Sequence, residues 1–153
     1  GLLSACGIRR AILPLMNSQN AAEVLQKAGI EVSFVNLCQS ALSAKKAIAE
    51  LAEKSGCGLT FNGPRFVLAG EMPFLQSYRA GRFIKFMNQL DVSDCKWDGE
   101  PTALACGNGE IKELVSILRC HNFSGFLCLG GGVVYPGSLE DAVHDFRNLL
   151  GAM

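Results

Sequence analysis

Polar side chains cluster at two places where the sequence pattern predicts that strands end. Asn62 and Arg65 follow one apolar run, and Asn88 and Asp91 close the next one. Because the carboxyl ends of parallel strands lie at one edge of a sheet, these four side chains predict a polar pocket there. An arginine in such a pocket suits a carboxylate or a phosphate, which it binds with forked hydrogen bonds. The alternative is that all four are solvated surface residues.

A second candidate is the glycine run Gly130-Gly131-Gly132, which follows a short apolar segment. The backbone N–H groups of Gly130 and Gly131 can approach a phosphate closely, because glycine has no side chain. The spacing matches neither Gly-x-Gly-x-x-Gly nor a Walker loop. A flexible turn is therefore the competing interpretation. Trp97, in a polar loop, is predicted either to stack on a ligand or to anchor that loop.

The seven cysteines argue against both a disulfide framework and a zinc site. Their number is odd, no Cys-x-x-Cys pair occurs, and only two histidines, His121 and His144, accompany them. Several lie in apolar runs, as Cys128 does, where a thiol behaves as a small hydrophobe. We therefore expect reduced, mostly buried thiols and a cytoplasmic location.

Length and charge narrow the class of protein. The chain has 153 residues, which suits a single domain spanning residues 1–153. Its formal net charge is zero and 18% of its residues are charged, so we expect neither a nucleic-acid partner nor a membrane partner. The 49% of hydrophobic residues predicts strands that are covered on both faces. The chain begins with Gly, and we expect it to be a segment of something larger or a processed product.

Hydrophobic periodicity predicts five strands that alternate with helices. The predicted strands cover residues 8–13, 30–37, 59–61, 83–90 and 126–129. The predicted helices cover residues 20–28, 44–51, 73–80, 111–118 and 138–150. Asn20 and Glu23 form a predicted capping box for the first helix, and Ser138 is the predicted cap of the last. A polar loop is predicted between Ser93 and Pro101.

Five strand–helix units imply an α/β fold with a parallel sheet and right-handed crossovers. Two architectures satisfy this order: an open doubly wound sheet, or part of a (β/α)8 TIM barrel. A complete barrel usually needs roughly 200 residues or more, so the chain would lack about three units.

Several segments resemble the xylose isomerase-like TIM barrels, a superfamily of sugar-phosphate isomerases, ketose 3-epimerases and the endonuclease IV group. Residues 59–65 and 67–71 (LTFNGPR and VLAGE) resemble its sixth strand and the following loop. Residues 83–91 (FIKFMNQLD) resemble the seventh strand, and residues 106–111 (CGNGEI) with 125–129 (GFLCL) are similar to the closing segment. The resemblance implies that the chain corresponds to strands four to eight.

The resemblance further implies a divalent metal at the carboxyl ends of the strands, with two glutamates that shuttle a proton. Here the matching positions carry other residues. The strand-five glutamate falls on Val35, although the asparagine that often follows it remains as Asn36. The Asp-x-x-His motif falls on Asn62 and Arg65. Neutral amides are weak replacements for carboxylate or imidazole, and arginine is permanently positive.

The other positions matched by the resemblance also lack the expected ligand residues. The strand-seven histidine falls on Asn88 and the glutamate of the final strand falls on Gly130, so only Asp91 keeps a family-like carboxylate. We expect no metal and no cofactor, and Asp91 is the one candidate for a retained acid or base. The predicted ligand-binding residues are Asn36, Asn62, Arg65, Asn88, Gly130 and Gly131.

These observations leave three functional hypotheses. The first is an isomerase- or epimerase-like protein with a degenerate metal site, which binds a sugar or sugar phosphate without catalysis. The second is an assembly module whose open edges pair with a second copy of the chain or with a missing N-terminal barrel half. The third is a doubly wound domain that binds a phosphorylated ligand at its glycine loop.

Overall fold

Five parallel strands form the main sheet of the protein, which a computed structural model describes for residues 6–16, 18–79, 82–130 and 135–153. The main-sheet strands are β1 (Arg10–Pro14), β2 (Glu31–Val35), β3 (Gly58–Asn62), β4 (Met87–Val92) and β7 (Phe126–Leu129). Two short strands, β5 (Asp94–Cys95) and β6 (Pro101–Thr102), form an antiparallel hairpin after β4.

The order of the main sheet is β1-β2-β3-β4-β7, so neighbours in space are also neighbours in sequence. The sheet curls into a half-barrel with helices between its strands, as in a partial (β/α)8 barrel. The prediction of five parallel strand–helix units is thus confirmed. The doubly wound alternative is wrong, because that topology requires the strand order to reverse at a switch point.

The described ranges contain five α-helices: α1 (Gln19–Lys27), α2 (Ala41–Ser55), α3 (Gly63–Leu68) and α4 (Ile111–Cys120), which lie between strands, and α5 (Leu139–Gly151), which follows β7. A π-helix (Pro73–Tyr78) and a short 3-10 helix (Phe83–Lys85) lie between α3 and β4. None of these helices combines the length and apolarity needed to cross a bilayer.

The helix-facing side of the sheet forms the hydrophobic core. Phe34, Phe61 and Leu90 are completely buried, in one cluster with helix residues such as Ile48 and Leu114. Because side chains alternate along a strand, the residues between them face the concave side, and there the central strands carry polar groups. Ser33, Thr60, Asn62, Gln89 and Asp91 are all buried on that side.

The outer strands differ from the central ones. Ile12 of β1 is 45% exposed and Phe126 of β7 is 55% exposed. We predicted that the strands would be covered on both faces, and this is wrong for the two outer strands, β1 and β7. The described chain supplies no further strand or helix to cover their exposed side chains.

Two local predictions need correction, and a third is confirmed. The helix α1 is capped by Ser18 without a side-chain hydrogen bond, so Asn20 lies inside the helix and forms no capping box. The fourth strand begins at Met87 rather than Phe83, which is fully buried in the 3-10 helix instead. By contrast, Ser138 does cap α5, in a capping box with Asp141.

The expectation of mostly buried thiols is also wrong. None of the seven cysteines forms a disulfide, but Cys57 and Cys95 alone are buried. Cys128 is half-buried, and the other four thiols are exposed: Cys6, Cys38, Cys106 and Cys120. Cys120 lies at the last position of α4 and Cys128 on the edge strand β7, so apolar neighbours in sequence do not ensure burial.

Candidate functional site

The strands β2 and β3 are joined at their carboxyl ends by an asparagine side chain. Backbone pairing between them ends at Val35 and Thr60. Beyond that point Asn36 donates from Nδ2 to the Asn62 carbonyl oxygen at 2.9 Å, and the Asn62 N–H donates to Asn36 Oδ1 at 2.8 Å. The side-chain amide of Asn36 therefore replaces a backbone peptide and extends the ladder by one step.

The Asn62 side chain connects the start of α3 to β4. Its Oδ1 accepts a hydrogen bond from the Arg65 N–H at 3.0 Å, which caps the helix, and Pro64 fits the first turn because that turn needs no N–H from it. Its Nδ2 donates to Asp91 Oδ2 at 3.0 Å. Asn62 and Asp91 are direct partners in the sheet register, which explains why they meet.

Asp91 is the carboxylate at the centre of this group. It is 4% exposed, and its second oxygen, Oδ1, accepts from Gln89 Nε2 at 2.9 Å. Burial raises the pKa of Asp91, while the hydrogen bonds from Asn62 and Gln89 and the charge of Arg65 oppose that rise. Both carboxylate oxygens are thus engaged by amide donors in a largely dry environment.

Arg65 supplies the positive charge beside this carboxylate. One terminal nitrogen, Nη1, donates to the Asn36 carbonyl oxygen at 2.9 Å, and the side chain is only partly buried. Among the described residues, its remaining guanidinium N–H groups have no acceptor. The arrangement holds the guanidinium at the rim of the half-barrel with donors left for a ligand.

The structure does not bring Asn88 to this group. Asn88 lies near the amino end of β4, where the register shifts by one residue against β3. It accepts a hydrogen bond from Ser33 Oγ at 2.7 Å, and its Nδ2 lies 3.3 Å from Glu31 Oε1. Of the four residues predicted to share a pocket, Asn62, Arg65 and Asp91 lie together. The prediction is wrong for Asn88.

The glycine run is described only in part. Gly130 follows β7 in a turn with a positive φ of 83°, a conformation that favours glycine. Gly131 and Gly132 lie outside the described residues. Cys128 of β7 pairs with Asp91 in the register, so Gly130 does follow the strand that borders the site.

Sequence reasoning missed Gln89. It lies two residues before Asp91 and therefore on the same face of β4, a signal that the misplaced start of this strand concealed. Without Gln89, one oxygen of the buried carboxylate would lack the donor that it has here.

Three further carboxylates hold the loops above the strands in place. Glu71 accepts from the first N–H of α2 and from Ser77 Oγ at 2.8 Å. Glu110 accepts from the N–H groups of Phe74 and Leu75 at the start of the π-helix. Asp94, 2% exposed, accepts from three backbone N–H groups. Each carboxylate satisfies backbone donors that a helix or turn leaves free.

The site does not fit a divalent metal ion. Asp91 is its one carboxylate, both Asp91 oxygens accept amide N–H groups, and Asn62 Oδ1 is occupied by the Arg65 N–H. Arg65 adds a positive charge where a dication would require anionic oxygen. Within the described ranges, no group of three His, Cys, Asp or Glu side chains is placed to hold a metal.

Solved structures provide the comparison with known proteins. No protein-family model matches the chain, and no curated protein sequence matches it. A xylose isomerase domain protein from Planctomyces limnophilus matches 97% of the chain with a TM-score of 0.71 and 14% identity. The 3-keto-D-glucoside 4-epimerase from E. coli, in its apo form, matches 87% with a TM-score of 0.61 and 14% identity.

A third match is the TTHB071 protein from Thermus thermophilus, in a crystal soaked with ZnCl2. It covers 99% of the chain with a TM-score of 0.58 and 16% identity. The chain spans 59%, 50% and 65% of the lengths of these three structures. At such low identity the likeness establishes the fold, and the chain therefore has the fold of the xylose isomerase-like barrels, of which it forms five strand–helix units.

Proposed function

We propose that this chain is a sugar isomerase- or epimerase-like protein with a degenerate metal site, which binds a sugar phosphate without catalysing its isomerisation. The structural neighbours support the general kind, since their names include a xylose isomerase domain protein and a 3-keto-glucoside epimerase. The residues at the strand ends support the degenerate metal site and the binding of a sugar phosphate without catalysis.

The observation that carries the proposal is the burial of the Asp91 carboxylate with an amide donor on each of its oxygens. Isomerisation requires an acid or base that reaches the proton next to a substrate carbonyl. Asp91 is 4% exposed, and Asn62 and Gln89 occupy one oxygen each. Each oxygen of this buried carboxylate already accepts an amide hydrogen bond, which disfavours its use as an acid or base on a substrate.

Arg65 favours an anionic ligand. Its guanidinium stands at the rim with N–H groups that lack acceptors among the described residues, and a phosphate group accepts two parallel hydrogen bonds from such a fork. Asn36 holds that guanidinium in place through its carbonyl oxygen. We therefore propose that Arg65 binds the phosphate of the ligand.

Calorimetric titration with sugar phosphates and with the matching uncharged sugars tests this proposal. We expect phosphate-dependent binding that Arg65→Ala weakens about tenfold, as for the loss of a charged hydrogen bond. Arg119→Ala, which removes an exposed arginine from α4, is the matched control and should bind as the native chain does. Equal binding by the native chain and Arg65→Ala would refute the role of Arg65.

The absence of catalysis needs a separate assay. We expect no isomerase or epimerase turnover with any of these sugars, whether a divalent cation or a chelator is added. Turnover that a divalent cation stimulates and Asp91→Asn abolishes would contradict the degenerate site.

A second proposed function rests on the two open edges. Strands β1 and β7 each have a neighbour on one side only within the described chain, and both expose apolar side chains there. We propose that these edges pair with strands of another polypeptide, either a second copy or an N-terminal barrel half. Light scattering should then show a mass above that of one chain, which Ile12→Lys should reduce. A clean monomer at working concentration argues against pairing between copies.

We also propose a cytoplasmic location. Four of the seven free cysteines are exposed, and exposed thiols persist in a reducing compartment. Thiol titration of protein purified without reductant should count seven free thiols, and a lower count that reductant restores would contradict this placement.

A further inference from the structure

A second cavity, separate from the Arg65 group, lies outside the strand ends. Its volume is about 230 Å³, and it is bounded by the β5–β6 hairpin, by the loop before α4 and by the first turn of α4. Trp97, Asn108, Lys112 and Glu113 line it. We propose that this cavity binds one uncharged sugar ring, stacked on the indole of Trp97. The inference goes beyond the proposed function, because it requires none of the strand-end residues.

The tip of the hairpin presents Trp97 as a fixed platform. The Lys96 N–H donates to the Glu100 carbonyl at 2.9 Å, and the Gly99 N–H donates to the Lys96 carbonyl at 2.9 Å. A side chain at Gly99 would come within 2.8 Å of a Leu68 methyl group, so the turn packs closely on α3. The indole above this turn is 50% exposed, which leaves a flat apolar face for the C–H groups of a sugar ring.

The opposite wall is held by Asp94. Its carboxylate accepts from the N–H groups of Gly107 at 3.0 Å and Gly109 at 2.7 Å, and side chains at either glycine would collide with it. The Asn108 N–H donates to the Cys95 carbonyl at 2.7 Å. Both sides of the cavity are therefore attached to β5, the loop of Asn108 by hydrogen bonds and the hairpin of Trp97 by strand pairing. This common attachment fixes the position of Asn108 relative to Trp97.

Three polar side chains of the cavity are available to a ligand. In the described part of the chain, the side chains of Asn108, Lys112 and Glu113 form no hydrogen bond or ion pair. Together they offer amide, ammonium and carboxylate groups, which complement the hydroxyl groups of a sugar as both donors and acceptors.

The charge of the lining favours an uncharged ligand. Lys112 is the one cation among the lining residues, against the carboxylates of Asp94, Glu110 and Glu113. A phosphate would therefore meet a net negative wall. The volume also limits the ligand, because pockets for drug-sized molecules begin at about 300 Å³. A single ring fits these limits better than a longer saccharide.

The backbone around the cavity is strained. Ala105 and Glu110 both line it, and both have a positive φ, 64° and 48°, which is uncommon for residues other than glycine. Strain of this kind persists at sites where the surrounding structure enforces it.

Fluorescence tests the inference directly, because Trp97 is the only tryptophan of the chain. Titration with glucose, xylose and fructose should produce a saturable change for at least one sugar. Inorganic phosphate and glucose 6-phosphate serve as charged probes. No saturable change with any uncharged sugar overturns the inference, and so does a change that inorganic phosphate alone reproduces.

Substitutions of cavity residues test whether the fluorescence change comes from a sugar bound in this cavity. Asn108→Ala and Glu113→Gln should each weaken the fluorescence-detected affinity about tenfold, as for lost hydrogen bonds to a ligand. Glu50→Gln, at an exposed helix position outside the cavity, is the matched control and should leave the affinity unchanged. Unaltered affinity in both cavity variants overturns the inference.

Two further measurements complete the test. By calorimetry, Trp97→Phe should retain binding within a few-fold, whereas Trp97→Ala should abolish it, and native affinity in Trp97→Ala overturns the inference. Arg65→Ala should leave the Trp97 signal intact. If Arg65→Ala abolishes that signal, the strand-end site produces it, and this inference fails while the proposed function stands.

Discussion

The two ends of the concave sheet face each hold one charged side chain with buried polar atoms, and the hydrogen bonding of these atoms differs. At the carboxyl end, both oxygens of Asp91 accept amide hydrogen bonds. At the amino end, Arg10 reaches from β1 across the sheet, with its guanidinium carbon 4.1 Å from the centre of the Phe126 ring of β7. Its Nη2 is 3.5 Å from Glu31 Oε1, but its Nε and Nη1 atoms are buried without a partner.

The difference shows what an open edge does to a buried charge. Asp91 lies on the interior strand β4, where side chains on the same strand and on β3 donate hydrogen bonds to it. Arg10 and Phe126 lie on the two outermost strands, and the ring that covers the guanidinium is itself 55% exposed. The carboxyl end is therefore a completed network, whereas the amino end depends on a contact at the margin of the sheet.

The largest effect on the free energy of unfolding is expected from removing Asp91, which accepts the hydrogen bonds of Asn62 and Gln89. Asp91→Ala leaves the amide groups of Asn62 and Gln89 without their acceptor, which should lower the free energy of unfolding by about 3 kcal/mol. Asp91→Asn keeps one acceptor and should cost less. Urea denaturation measures both. Negligible losses in both variants would show that the network contributes little.

The next effect concerns packing at the amino end. A β-carbon on Gly58 would lie 2.1 Å from Asn88 Nδ2, so Gly58→Ala should destabilise the fold by about 2 kcal/mol. Gly151→Ala, which meets no atom within 4 Å, is the matched control and should remain within about 1 kcal/mol of the native chain. Similar midpoints for the two variants would contradict the close approach.

A smaller effect is expected for the contact between Arg10 and the ring of Phe126. In a double-mutant cycle of Arg10→Met and Phe126→Ala, we expect a coupling of about 1 kcal/mol for a cation stacked on an aromatic ring. Arg10→Met alone should be nearly neutral, since it removes two unpartnered nitrogens together with the stack. A coupling indistinguishable from zero would mean that the ring does not hold the arginine.

The smallest effect is the pH dependence of Asp91. Because its pKa is raised in the folded protein, the folded state binds the proton more tightly than the unfolded state. Relative to Asp91→Asn, the native chain should be most stable below the ordinary pKa of aspartate and should lose stability as pH rises through the raised value. Denaturation at several acidic pH values measures this difference, and the opposite slope would show that the amide hydrogen bonds outweigh burial.

The errors of sequence reasoning have physical causes. Residues 83–90 are apolar enough for a strand, but Phe83 packs into an aromatic cluster with Phe61 and Phe66, 5.8 Å from each ring. Gly63 and Pro64 do end β3, as their residue types indicate, but together with the Asn62 cap they also begin α3, a helix that was not predicted. Local propensity is ambiguous at such positions, and contacts distant in sequence decide between the outcomes.

Asn88 shows the same limit within the candidate site. A register shift between Leu59 and Thr60 leaves Asn88 without a partner on β3, toward the amino end of β4 and away from Asp91. A slip of one residue moves a side chain to the other face of a strand, and a single sequence contains no record of such a slip.

The sequence alone determined the alternation of strands and helices, because hydrophobic period and turn residues are local properties of the chain. It also determined that polar residues, Asn62, Arg65 and Asp91, stand at the ends of two predicted strands, because residue type and order are properties of the chain itself. Only the tertiary structure decided that Gln89 completes the Asp91 network, that Asn88 lies elsewhere and that Trp97 faces a cavity. Those outcomes depend on strand register and loop packing, which join residues far apart in the chain.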